Sequence, residues 1–281
     1  MIKDEEIPST KHLKDKCVCC EESGKKYSRE HVFPKWLLEI SNTKQAPFQW
    51  LCKPFITGQK CTIPLCIECN NTLGIELEDK VKDIFTNIEL GNGFNDYEAE
   101  LLIRWMWKIV GLLFRTVIPT YSPNVTVKQH VLSQISQPRD RLSIAISIIK
   151  DGYVNYDFTP IGISSIGHYS SIYCAGILSH LSIIVLYTKF IDRIPNNWGV
   201  YTLSKTPLMM NPNKKFYPPV GFENGNVATW KTKEACNIEL QYFHNKCAVE
   251  IMLQQDELEE KKDTRNIPLP KFLQTPTQEK N

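Results

Sequence analysis

The sequence predicts an α+β protein: a zinc-stapled finger at the N-terminus, a helical segment after it, then a β-rich C-terminal region with a long terminal helix. Three observations carry this. Two C-x-x-C pairs, Cys17–Cys20 and Cys66–Cys69, bracket one short stretch. Apolar residues recur at spacings of three and four after the second pair and again over 96–118. From Leu142 the texture turns to alternating, β-branched runs.

Each C-x-x-C pair is half of a tetrahedral zinc site, because two thiolates from one tight turn grip one face of the ion. With little other core material nearby, Cys17, Cys20, Cys66 and Cys69 read as ligands of a structural zinc. Cys19 competes with Cys20, since C-x-C also occurs in metal sites; the matching spacing of Cys66 and Cys69 favours Cys20. Cys52 and Cys61 lie between the pairs. They could replace a ligand or form a second site, but buried free thiols are the simpler reading.

Residues 1–13 are charged and aperiodic, a flexible lead-in. Gly24-Lys25-Lys26 reads as a turn or loop, and Tyr27 to Val32 as a short strand delivering Glu30 and His31. Neighbouring strand residues face opposite ways, so both reach one site only if the strand ends or bulges there. Pro34 to Ile40 fits a short helix with Pro34 near its first position. Residues 41–60, with Pro47, Pro54 and Gly58, read as a loop.

From Asn70 to Leu90, Leu73, Leu77, Val81, Ile84, Phe85 and Ile88 mark a helix, stopped by Gly91-Asn92-Gly93. At helical spacing Asn70, Gly74 and Glu78 share a side, and a helix starting near the zinc would put Asn70 beside His31. The stop sets the domain boundary: 14–91 the finger, 92–263 a helical then β-rich domain, 264–281 a proline-bearing disordered tail. Residues 96–118 form a strong helix, in which Arg104, Lys108 and Arg115 read as solvated charges ahead of phosphate contacts, and Trp105 and Trp107 as core or interface. A third helix fits 126–137, before Pro138.

Residues 143–149 and 153–158, around Asp151-Gly152, carry a hairpin signal. Apolar runs at 166–176 and 181–190 extend the β reading; 205–229 look irregular, and 232–260 read as the long helix. His168, His180 and His244 lack ligand-spaced partners and read as surface or satisfied core residues.

The first C-x-x-C pair, Glu30-His31 within "EHVFPKWLL", the second pair followed at once by Asn70 in "CIECNN", and Leu77-Glu78 together resemble the HNH nucleases. The likeness is to the ββα-metal fold in its treble-clef zinc subgroup, and it covers about residues 14–90. It implies a metal-dependent endonuclease that hydrolyses phosphodiester bonds in nucleic acid, with DNA the favoured substrate. It implies His31 as general base, with Glu30 and Asn70 holding a catalytic magnesium or manganese ion, hard metals suited to oxygen ligands. Glu78 matches an acidic residue of the subgroup, an added ligand or a supporting group, with a solvated carboxylate as the plain alternative. The acid before the base is Glu where familiar members have Asp. Where a central asparagine normally pins the loop carrying the base, Lys60, Thr62 and Pro64 stand instead.

A net charge of +2 gives no global basic field for nucleic acid but allows a local basic groove. The polar N-terminus lacks a signal-peptide core, so ten cysteines fit a cytoplasmic chain with reduced thiols. The longest apolar run, Ile172 to Tyr187, is too short for a bilayer and is broken by Ser179, His180 and Ser182, which fits buried strands and no membrane partner. The C-terminal region would bind substrate, an activator or a second copy. A role in antiviral defence or DNA processing is analogy at the level of fold. The alternative class is a non-catalytic zinc-stapled module that binds nucleic acid or protein.

Overall fold

A computed structural model describes residues 16–48, 56–117, 126–132, 138–149, 161–166, 173–194, 198–206, 214–216, 235–236, 238–240 and 242–243. Residues 1–13, Cys52, residues 153–158, His168, His244, residues 264–281 and most of the 205–229 and 232–260 stretches lie outside these residues.

The chain is α+β. Strand β1 (Tyr27–His31) pairs antiparallel with β4 (Thr62–Cys66), matching Tyr27 to Cys66 and His31 to Thr62. Between them lie helix α1 (Lys35–Ile40), capped by Pro34, and a two-residue ladder of β2 (Pro47–Phe48) with β3 (Ile56–Thr57). The stretch 41–60 is therefore not all loop. Its ladder is too short to produce a pattern that sequence can reveal.

Helix α2 (Ile67–Leu73) runs through a π-helical turn, Gly74–Glu78, into α3 (Asp79–Glu89). All six apolar residues that mark this helix in sequence are buried. Gly91, at φ +88°, ends it: its N–H donates to the Ile88 carbonyl and that of Asn92 to the Asn87 carbonyl, a left-handed cap that glycine adopts without steric cost.

Helix α4 (Asp96–Val117) begins with a reciprocal cap, the Asn95 N–H donating to Glu98 and the Glu98 N–H to Asn95 Oδ1. Leu101, Leu102, Ile103, Trp105, Met106, Trp107, Ile109, Val110 and Leu112 are all buried. A helix buried on nearly every side belongs inside a core, and α4, whose Asp96, Glu100, Arg104 and Lys108 are paired within the protein, is the central element of this one. Trp36 of α1 stacks on Trp105 with centroids 5.6 Å apart, and Phe85 of α3 meets both edge-on. Trp105 and Trp107 are core residues, as expected. Helix α5 (Val127–Leu132) packs on α4, and residues 133–137 of the expected third helix lie outside the described set.

The C-terminal sheet is antiparallel, in the order β6 (Ile161–Ile166), β7 (Tyr173–Leu178), β8 (Leu181–Tyr187), β5 (Leu142–Ile148), β9 (Gly199–Thr202). The apolar run around Ser179 and His180 is the β7–β8 hairpin, with Ser179 at φ +56° in the turn. His180 is satisfied by the Ile149 carbonyl at 3.2 Å. The expected hairpin of 143–149 with 153–158 does not form along Ser143–Ile146, because β8 and β9 fill both edges of β5 there. Alternation announces a strand without naming its neighbour.

One buried cluster runs from the cysteines through α4 to the sheet, including Ile144, Ile146, Ile183 and Val185. Ala145, Ile184 and Leu186 face the other way and pack with Cys236, Leu240 and Phe243. Among the described residues no helix is long and apolar enough to cross a membrane.

A buried polar network ties α4 to the sheet edge. Arg139 pairs with Asp96 and Glu100, and Arg104 with Glu100 at 2.6 Å. Asp96 also accepts from the Tyr201 hydroxyl at 2.8 Å and from the Ser204 N–H at 2.7 Å. Removing one partner of such a network leaves buried charge uncompensated. Arg139→Met is therefore expected to destabilise the fold by about 3–5 kcal/mol in denaturant unfolding. An unchanged midpoint would show that Asp96 and Glu100 find other partners.

Candidate metal centre and the strand-end histidine

The first C-x-x-C pair sits on a tight loop in which the Cys17 N–H donates to Glu22 O and the Glu21 N–H to Cys17 O. Glu21, at φ +65°, reverses the chain. The second pair opens α2, where Cys66 is the cap residue and its Sγ accepts from the Cys69 N–H at 3.4 Å. The β1–β4 hairpin delivers Cys66 beside the first loop, and its N–H donates to Cys17 Sγ at 3.2 Å.

The Sγ atoms of Cys17, Cys20, Cys66 and Cys69 all lie within 4.8 Å of one another, and Cys20 and Cys66 are 4.0 Å apart. Tetrahedral zinc with thiolate bonds of about 2.3 Å separates its sulfurs by about 3.8 Å. The donor set and its spacing therefore fit a structural ion such as zinc. The hydrogen bond with Cys69, then burial, pushes the Cys17 thiol up to about 12, and burial pushes Cys20 up to about 11. Thiols so reluctant to ionise give up their protons to a cation that compensates the charge. Lys128 of α5 stands close enough for Cys69 and Cys20 to favour its charge, and pairs with Glu68 at 2.7 Å.

Cys20, not Cys19, completes the cluster. Cys19 is buried, and its carbonyl accepts from the Lys128 N–H. Cys61 is a buried free thiol outside the cluster, its pKa raised by burial.

His31 ends β1 and is half-buried. Burial and then the Lys35 ammonium lower its pKa from the ordinary histidine value, against the pull of Glu30 and of a hydrogen bond with the Gln59 backbone. Val32 follows, its N–H donating to Cys61 O at 3.0 Å. The loop that precedes β4 thus anchors the histidine through main-chain groups, where the resemblance leads one to look for an asparagine side chain. Main-chain anchoring needs no particular residue, so no sequence signal marks Gln59.

Glu30 turns into the core. Lys108 Nζ donates to Glu30 Oε1 at 2.5 Å and also to Glu78 Oε1, and the lysine side chain is wholly buried. Burial alone would lower the Lys108 pKa; Glu78 and Glu30 more than offset it, and the ammonium is held above its ordinary value. Burial raises Glu78 above the usual carboxylate range despite the lysine. Lys108 is thus neither a solvated charge nor a phosphate-facing one. The only hint in sequence is a single lysine amid Trp105, Met106, Trp107, Ile109 and Val110. Arg104 is likewise paired within the protein, and the Arg115 side chain lies outside the described set.

Asn70 Nδ2 donates to Ser28 Oγ at 2.9 Å. Strand alternation puts Ser28 on the Glu30 face of β1 and His31 on the other. Asn70 is thereby tied three residues up the strand from His31, on the side of Glu30. Its amide oxygen is left as the atom suited to a hard metal. No protein-family model, curated protein or solved structure matches the chain.

Proposed function

We propose that the chain is a metal-dependent HNH endonuclease, its N-terminal part a ββα-metal finger stapled by zinc. The observation that carries this reading is His31: a half-buried histidine with a lowered pKa, fixed by main-chain contacts at the strand end, one residue from an inward carboxylate, on a hairpin whose other end carries Cys66 of the four-thiol cluster. A neutral imidazole anchored through one side of its ring can take a proton from water near pH 7.

Glu30, Asn70 and Glu78 offer oxygen donors whose chemistry suits magnesium or manganese. When bound, such an ion relieves charge on the scissile phosphate and the leaving oxygen. Glu30 and Asn70 would hold it from one face of β1, while Ser28 fixes the Asn70 amide and Lys108 fixes Glu30. His31, on the other face but at the end of the strand, would activate the water there. Cys17, Cys20, Cys66 and Cys69 would hold a zinc ion closed by four thiolates, which would join the first loop to the hairpin and serve structure, not the reaction.

Purified full chain is expected to nick supercoiled plasmid with added magnesium or manganese and to stop in EDTA. The same assay on RNA and single-stranded DNA defines the substrate. Silence on all three, with zinc bound and the fold intact, would replace the nuclease by the zinc-stapled binding module.

A further inference from the structure

Among the described charged groups Lys108 stands apart. It projects from the middle of a helix whose other faces are apolar, and its side chain has no exposure to solvent. Its ammonium meets two carboxylates from separate parts of the finger, Glu30 at the end of β1 and Glu78 at the end of the π-helical turn. The carboxylates are slightly open, their side chains 10% and 15% exposed against 0% for the lysine. The lysine therefore lies beneath them and the carboxylates lie on the solvent side. It engages Oε1 of each, and the second oxygen of each carboxylate is not the one it holds.

Burying an ammonium is costly, and this geometry persists only because both carboxylates compensate it. The constraint acts in both directions: where Lys108 is fixed by packing, Glu30 and Glu78 are fixed by Lys108. The π-helical turn contributes, since a wider turn changes the helical phase and directs Glu78 toward α4.

We propose that Lys108 is a positioning residue of the catalytic metal site, holding Glu30 and Glu78 from below as a preoriented pair of oxygen ligands. The inference rests on the nuclease reading, in which Glu30 binds the catalytic ion. Groups that orient a metal ligand without touching the ion typically change affinity 10–100-fold when removed. Lys108 assigns that task to α4, outside the finger.

The test is manganese binding, followed by electron paramagnetic resonance on zinc-loaded full chain without nucleic acid, so that it does not depend on cutting. Lys108→Met is expected to weaken manganese binding about 10–100-fold while zinc content stays unchanged. Because the variant leaves two carboxylates uncompensated and can fail to fold, Lys108→Met/Glu78→Gln is compared with Glu78→Gln alone; the double variant is expected to bind manganese more weakly than the single. Wild-type manganese binding that is equally tight in the folded variants would overturn the inference and leave the nuclease reading standing, with Lys108 a packing residue. Tighter binding in Lys108→Met would overturn it too, since the ammonium would then compete with the ion. A wild-type chain that binds no manganese would overturn the metal site itself, and the inference with it.

Discussion

Cys66→Ser is expected to cost the chain its zinc and much of its stability. Cys66 has three tasks: it supplies a thiol to the four-sulfur cluster, caps α2 through the Cys69 N–H, and donates its own N–H to Cys17 Sγ. Serine keeps the last and can still cap the helix, so the loss isolates the metal bond. Structural zinc in finger peptides contributes about 10–16 kcal/mol of apparent folding free energy at neutral pH. Even a fraction of that should lower the melting midpoint by about 10 °C or more in a domain of this size. Metal analysis should fall from one zinc per chain to near none after dialysis. Cys61→Ser is the control, a buried thiol outside the cluster, and should keep the zinc. A Cys66→Ser chain with full zinc and an unchanged melting curve would refute the assignment.

His31→Ala is expected to lower cutting by about 10²–10⁴-fold, the usual contribution of a positioned general base. The fold should survive, because His31 is only half-buried and its neighbour Val32 keeps its bond to Cys61. The pH profile gives the sharper reading. The base works as the neutral ring, so activity falls as pH drops through the His31 pKa. Burial and Lys35 hold that value below the ordinary histidine range, which places the acid limb below about pH 6.5. Lys35→Gln removes a cation that disfavours the imidazolium, so it should shift the limb to higher pH. Wild-type cutting rates in His31→Ala would remove His31 from the mechanism.

How much of this was legible in the chain depends on whether side-chain pattern or main-chain geometry does the work. The four-cysteine cluster was readable because two-residue spacing reflects how a tight turn presents thiolates, and the same rule chose Cys20 over Cys19. Helices α3 and α4 were readable from their periodicity, and α1 from Pro34. The β2–β3 ladder was not, being two residues long. The partner of β5 was not, because β8 and β9 satisfy an alternating strand as well as the next segment would. Around His31 the sequence named the histidine and the acid but not their supports. Gln59 acts through its backbone, and Lys108 lies far along the chain, where a charge on a helix ordinarily faces water. Asn70, expected beside His31, instead engages Ser28 three residues up the strand, a pairing that spacing alone does not specify.

The buried cluster that unites the cysteines, α4 and the sheet also sets an order of events during synthesis, since chains emerge N-terminus first. All four thiols exist once Cys69 has been made and Glu78 follows nine residues later, both before any part of α4, so the carboxylates of Glu30 and Glu78 are made well before Lys108. Strand β5 waits longer still, for β8 and β9 to be translated. Metal capture can thus organise the nascent finger first, and the later arrival of α4 withdraws the two carboxylates from solvent. A ribosome stalled between those two points would display the full set of four thiols while the acidic pair still lacks its lysine.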